Sequence, residues 1–152
     1  MESSEFEAMQ ASAGERLAVL LESYHRLTGQ VLASNADALW SAPCAVLAHD
    51  RSAPPRFFYA NARTLALFRR SAREMIGLPS HLSAQEDERE QRAAMFALLD
   101  AEDIVTGYSG VRVAADGTRF RILDAVIWNL RDTAGALVGQ AARIDSVEML
   151  RG

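Results

Sequence analysis

The sequence predicts an α+β domain of five strands and several short helices, the last three strands an antiparallel meander, preceded by an amphipathic N-terminal helix. Two observations carry this. Short apolar runs at 45–48 and 57–60, parted by Asp50, Pro54 and Pro55, read as two strands around a loop. After a stretch of helix-capping signals, runs at 104–113, 120–130 and 137–144 read as strands joined at Asp116-Gly117 and around 132–135, which makes an antiparallel meander. A chain of 152 residues with 49% hydrophobic content suits one such domain with a real core.

Residues 1–13 are polar, small and aperiodic, and are expected to form a disordered leader. From Glu15 the pattern turns helical. Leu17, Leu20, Leu21, Tyr24 and Leu27 make one apolar stripe, Glu22 and Arg26 pair across a turn, and Gly29 falls where a C-cap belongs. A short helix at 35–40, stopped by Pro43, completes an N-terminal helical cap over 14–42, with the main domain at 43–148. Asn61 has the character of an N-cap for a helix carrying Leu65, Leu67 and Phe68. Two capping boxes follow: Ser71 with Glu74, closed by Gly77, and Ser83 with Glu86 ahead of the helix holding Met95, Phe96, Leu98 and Leu99.

Composition narrows the function classes. Twenty acidic against sixteen basic residues give a net charge of -4, so no phosphate-binding surface and no nucleic-acid partner are expected. The single cysteine, Cys44, forms no internal disulfide and reads as a small buried hydrophobe. The acidic start lacks the features of a signal peptide and no run approaches the ~20 apolar residues of a membrane span, so a cytoplasmic protein away from the membrane is the expectation. His25, His49 and His81 lie too far apart for a metal spacing. There is no glycine-rich phosphate loop and no G-x-S-x-G motif, and catalysis is not expected.

The order of two strands, short helices and three strands resembles a PAS domain, which implies one five-stranded antiparallel sheet with short helices and a pocket over one face and the amphipathic N-terminal helix against the other. The resemblance rests on His49-Asp50 through Phe58-Tyr59-Ala60-Asn61, on Met75-Ile76-Gly77, on Asp116-Gly117-Thr118-Arg119-Phe120 and on the glycine-led last strand. Within that superfamily, Tyr108-Ser109-Gly110-Val111-Arg112, Arg119-Phe120-Arg121 and Trp128-Asn129-Leu130 resemble the MEKHLA domain, which implies a PAS-type regulatory role. The blue-light flavin branch of PAS domains, LOV, carries a Gly-x-Asn-Cys-Arg-Phe motif that falls on Gly77-Leu78-Pro79-Ser80-His81-Leu82. Ser80 stands where that resemblance places the photoreactive cysteine. A hydroxyl cannot form the cysteinyl adduct, and Pro79 removes an amide that would help hold the ring, so the resemblance leaves only noncovalent flavin open. His81 lies where some PAS domains place a haem ligand, but reads better as a solvent-facing histidine, which disfavours haem.

Alternation divides the strand at 120–130 into two sets. Ile122, Asp124, Val126 and Trp128 are expected to face the pocket. Leu123 and Ile127 are expected to face outward, beneath the N-terminal helix. A two-residue turn at Asp116-Gly117 would set Arg112 opposite Arg121, a disfavoured like-charge pair. A three-residue loop through Thr118 sets it opposite Ile122 and diagonal to Asp124, and this register is preferred. With Gln140 inward, Arg112 and Asp124 would form the polar corner of an otherwise apolar site, alongside Ser80 and His81. The alternative is an internal salt bridge with no ligand.

Three functions follow. The first is a sensory module that binds a small-molecule ligand and passes its state to a separate output protein. The second is a structural interaction domain that forms a homodimer through the N-terminal helix or the outer sheet face. The third and weakest is an enzyme on a cone-shaped α+β fold with Asp124 as general base.

Overall fold

A computed structural model describes residues 2–84 and 89–150. In chain order its elements are α1 (Glu2–Ala13), α2 (Arg16–Thr28), α3 (Ala36–Trp40), β1 (Ala45–His49), β2 (Phe57–Ala60), α4 (Ala62–Phe68) and α5 (Ala72–Met75). A 3-10 turn at Ser80–Ser83 leads to α6 (Arg89–Glu102), β3 (Ile104–Val113), β4 (Arg119–Arg131), β5 (Leu137–Ile144) and β6 (Ser146–Met149). The sheet is antiparallel in the order β2-β1-β5-β4-β3, with β6 also pairing β4. It therefore has six strands where five were expected. The sixth continues the line of β5 past Asp145 on the same side of β4.

Local chemistry places most of these elements. Asn35 and Asn61 accept from the backbone amides of Ala38 and Thr64, capping α3 and α4. The Ser71/Glu74 box is formed in both directions. Gly29 ends α2 at φ 75, its N–H reaching the His25 carbonyl. The second box is not seen as expected: Ser83 closes the 3-10 turn, its hydroxyl donating to the Ser80 carbonyl at 2.8 Å, and Glu86 lies outside the described residues.

The stretch expected to be a disordered leader is instead α1. Its helix is held by tertiary contacts and not by a periodic stripe of its own. Met9 and Ala13 are buried, Phe6 packs edge-on against Trp40 at 5.7 Å, and Ser12 donates to the Phe58 carbonyl at 2.7 Å. These few anchors suffice, too few to stand out in a polar sequence.

The β3–β4 hairpin corrects the expected register. The Ala114 amide donates to the Thr118 carbonyl at 2.8 Å, so the three-residue loop is 115–117 and Arg112 faces Phe120, not Ile122. Asp116 fixes the tip. Its carboxylate accepts from Thr118 and pairs with Arg69, and these contacts, the Thr118 hydrogen bonds foremost, hold it at about 2. A shift of two residues keeps Arg112 on the face of Phe120 and Ile122.

Farther along, both strands carry an irregularity. Gly110 faces Ile122 and Tyr108 faces Ala125, so between these pairs β4 has one residue more than β3. Val105 faces Ile127, which gives the extra residue back in β3. Left-handed residues mark both places, Asp124 at φ 51 and Gly107 at φ 67. Past Asp124 the faces of β4 are exchanged. Trp128 lies against α2, edge-on to Tyr24 at 4.8 Å with its indole N–H 3.4 Å from the Leu20 carbonyl, whereas Ile127 lies on the opposite face with Ile122. The expected inward Trp128 and outward Ile127 are thus reversed.

Asp124 itself is exposed, because the bulge turns its side chain to solvent. At its φ of 51, glycine is unstrained and a β-branched residue is strained. Asp124→Gly should leave the urea midpoint unchanged or raised, and Asp124→Val should lower stability by about 1–2 kcal/mol. Equal midpoints for the two variants would mean that β4 runs straight through this position.

Candidate ligand cavity

Between the inner sheet face, α6 and the 3-10 turn lies a cavity of about 60 Å³. Its walls are mostly apolar, with Leu47 and Ile144 from the sheet and Met95 and Phe96 from α6. The 3-10 turn is held over it by backbone bonds to the β2 region: Phe57 N–H to the Leu78 carbonyl at 3.0 Å and Ser80 N–H to the Pro55 carbonyl at 2.8 Å. Ser80, 5% exposed, is thereby presented to the cavity. On the far side β5 approaches β1 very closely, since a Cβ at Gly139 would fall 2.2 Å from the His49 carbonyl oxygen. Only glycine permits that approach.

Two arginines reach the cavity. Arg112 bends back along β3 over Gly110, where a Cβ would come within 3.1 Å of its Nη1, and donates to the Val111 carbonyl at 3.0 Å and the Tyr108 hydroxyl at 3.4 Å. Arg92 comes from α6 and stacks its guanidinium 5.7 Å from the Phe96 ring. Burial, together with the Arg112 charge, pushes Arg92 below its ordinary value.

His49 and Gln140 complete the polar lining. The His49 Nδ1 lies 3.0 Å from the Asp50 carbonyl oxygen, which can only accept, so Nδ1 carries the proton and Nε2 of the neutral ring is a bare acceptor. Gln140 is oriented by a chain of bonds. The Asn129 amide donates to the Leu99 carbonyl at 3.1 Å and to Asp103 at 2.8 Å, which turns its oxygen toward Gln140 Nε2 at 3.0 Å. Arg131 anchors the outer end on Asp103 and, with Asn129, holds that carboxyl below its ordinary value.

Of the residues singled out from sequence, Arg112, Gln140, Ile122 and Ser80 line this cavity. Asp124, Val126, Trp128 and His81 are not among its lining. Asp124 is turned outward by the bulge, so the Arg112–Asp124 pair does not form and an exposed carboxylate is no buried general base. Val126 and Trp128 lie beyond the exchange of faces. His81 is exposed on the 3-10 turn. The sequence reading missed Arg92 and His49. Arg92 had a signal, because it precedes Met95 and Leu99 by three and seven residues and so falls on the apolar face of their helix. Among the described residues no group of His, Cys, Asp and Glu is arranged to hold a metal, and no helix is long and apolar enough to cross a membrane.

A mixed sheet-and-helix domain with its cavity between the central helices and the sheet has the fold of the PAS and LOV sensory domains. The MEKHLA domain family matches residues 15–149, and the chain belongs to that family. Solved structures agree on the fold. The PAS domain of a protein from Colwellia psychrerythraea is 17% identical at a TM-score of 0.61, over 73% of this chain and 92% of the other. The light-state dimer of the fungal blue-light photoreceptor Vivid is 17% identical at 0.63, over 85% and 92%. The PAS domain, in complex with ethanol, of a LuxR-family transcriptional regulator from Burkholderia thailandensis is 17% identical at 0.56, over 75% and 95%. No curated protein matches the sequence.

The likeness to LOV photoreceptors raises flavin as an occupant. The residues present do not fit it. Cofactor-sized pockets run to roughly 300–1,000 Å³, and here Met95, Phe96 and Phe68 close the space to about 60 Å³.

Burial holds the His49 imidazole below its ordinary value of 6.5, and the Arg92 charge acts in the same direction. A depressed native pKa means that the unfolded chain takes up the proton first. Stability is therefore complete above the ordinary value of 6.5 and falls as pH drops from there toward the native pKa of His49. His25 and His81 are exposed and lack this burial. The urea midpoint should be level between about pH 7 and 8 and decline below about 6.5, and His49→Phe should flatten the decline above about pH 5, where carboxylates do not yet titrate. An unchanged slope in His49→Phe would place His49 in solvent.

Proposed function

We propose that this domain is a non-catalytic sensory module whose cavity takes up a small organic molecule and whose sheet relays occupancy to the N-terminal helices, where a partner protein reads it. The observation that carries this reading is the back-to-back placement of cavity and helix contacts on the same two strands. Ile127 and Ala142 face the cavity, while their neighbours Trp128 and Arg143 meet α2 through the Tyr24 ring and hydroxyl, the latter at 3.1 Å from Arg143 Nη1. Packed interiors transmit small shifts because they have little free volume. The family and the structural neighbours support a sensory role, and the neighbour in complex with ethanol shows a PAS domain with a very small molecule.

The sequence has two tryptophans, so Trp40→Phe leaves Trp128 as the single reporter at the α2 contact. Titration of this variant with short-chain alcohols, amides and carboxylates should give, for at least one class, a saturable change in Trp128 emission together with altered amide exchange in α2. A compound that shifts the Ile127 and Ala142 resonances while leaving Trp128 and α2 unaffected would break the relay.

A further inference from the structure

We infer that the cavity recognises a short-chain monocarboxylate, acetate to butyrate in size, whose carboxylate is gripped by Arg92 and Arg112 and whose tail lies against the apolar wall; this rests on the sensory reading above and names the chemistry of its ligand. Two permanent cations share one small, largely apolar space. Among the described residues neither ion-pairs with a carboxylate, whereas Arg69, Arg121, Arg131 and Arg143 each do, with Asp116, Glu148, Asp103 and Asp145. Among the described residues the buried Nε of Arg92 has no hydrogen-bond partner, and the bonds Arg112 donates there go to two neutral oxygens. A guanidinium cannot shed its proton in such a site, and because both arginines are only partly buried an entering anion can reach them and answer the charge. The planar fork of arginine suits a carboxylate, which can accept two parallel bonds from it.

The rest of the lining chooses among anions. A volume of about 60 Å³ lies far below the roughly 300–1,000 Å³ of drug- and cofactor-sized sites, so it favours a ligand of few heavy atoms over larger acids. Leu47, Met95, Ile122 and Ile144 give inorganic phosphate nothing to replace its hydration but would bury an alkyl tail. The Ser80 hydroxyl is a further donor to the carboxylate.

Isothermal titration at pH 7.5 with sodium propionate, against propionamide, 1-propanol and inorganic phosphate, tests this. Propionate should bind saturably and raise the melting temperature, and the three comparators should bind at least tenfold more weakly, since a charge-assisted hydrogen bond is worth about 1.5–3 kcal/mol and 1.4 kcal/mol is tenfold. Arg92→Gln and Arg112→Gln should each lose about tenfold or more in propionate affinity. Each should also melt at or above the wild-type temperature without ligand, because one of two like charges is gone, a result that a purely structural role would reverse. Equal binding of propionamide or 1-propanol, with both variants unaffected, would overturn carboxylate recognition while leaving the sensory reading intact. Binding of phosphate but not propionate would overturn it as well. If none of the four binds and Trp128 is silent to every compound class above, both readings fail.

Discussion

Between Ile122 and Ala125, strand β4 carries one residue more than the strand it pairs with, and this extra residue decides which side chains meet the cavity and which meet the N-terminal helix. A side chain on a strand has only two directions, so one inserted residue exchanges them for everything that follows. Without the left-handed turn at Asp124, Trp128 would fill the cavity and Ile127 would lie under α2. With it, the larger ring is spent on the α2 contact and the smaller side chain leaves room beside Arg92 and Arg112. The compensating residue at Gly107 returns the register, so the disturbance stays local and the far end of the sheet pairs normally.

Around this irregular strand the frame is set by buried amides. Asn61, fully buried, accepts from the amides of Val46 and Thr64 and donates to the carbonyls of Leu39 and Cys44 at 3.0 and 2.9 Å. One side chain thereby ties together the end of α3, the start of β1 and the start of α4. Asn129 plays the matching part at the other end, joining the last turn of α6 to β4 and β5. Satisfied polar groups of this kind fix a unique arrangement, because a misplaced one would lose several hydrogen bonds at once. The arginine pair is the contrast: it is partly buried at the cavity with no carboxylate partner among the described residues.

Much of the fold was legible because each boundary has its own chemistry. The amide and hydroxyl caps at Asn35, Asn61 and Ser71, the glycine after α2 and the aspartate-glycine hairpin all act within a few residues of chain. What stayed hidden depends on distant parts of the molecule. Helix α1 exists because Met9 and Phe6 find partners in β2 and α3, and β6 because β4 extends far enough to pair it. The site was read in half for a related reason. Strict alternation correctly put Arg112 and Ile122 on one face, then failed at Asp124, since no residue type announces a bulge that aspartate merely tolerates. Arg92 was readable on the apolar side of its helix. An arginine there is more often solvated than turned inward, and only the packed structure shows its Nε shut away from water.

The exchange of faces along β4 is the claim on which the cavity, its cations and the contact with α2 all depend. Nuclear Overhauser contacts of the Trp128 indole and the Ile127 methyls read it directly. The account predicts contacts from the indole to the Tyr24 ring and from the Ile127 methyls to Met95 or Phe96. Contacts from the indole to Phe68 or Phe96, with the Ile127 methyls against Leu20 or Tyr24, would show that β4 keeps its alternation and would contradict the account.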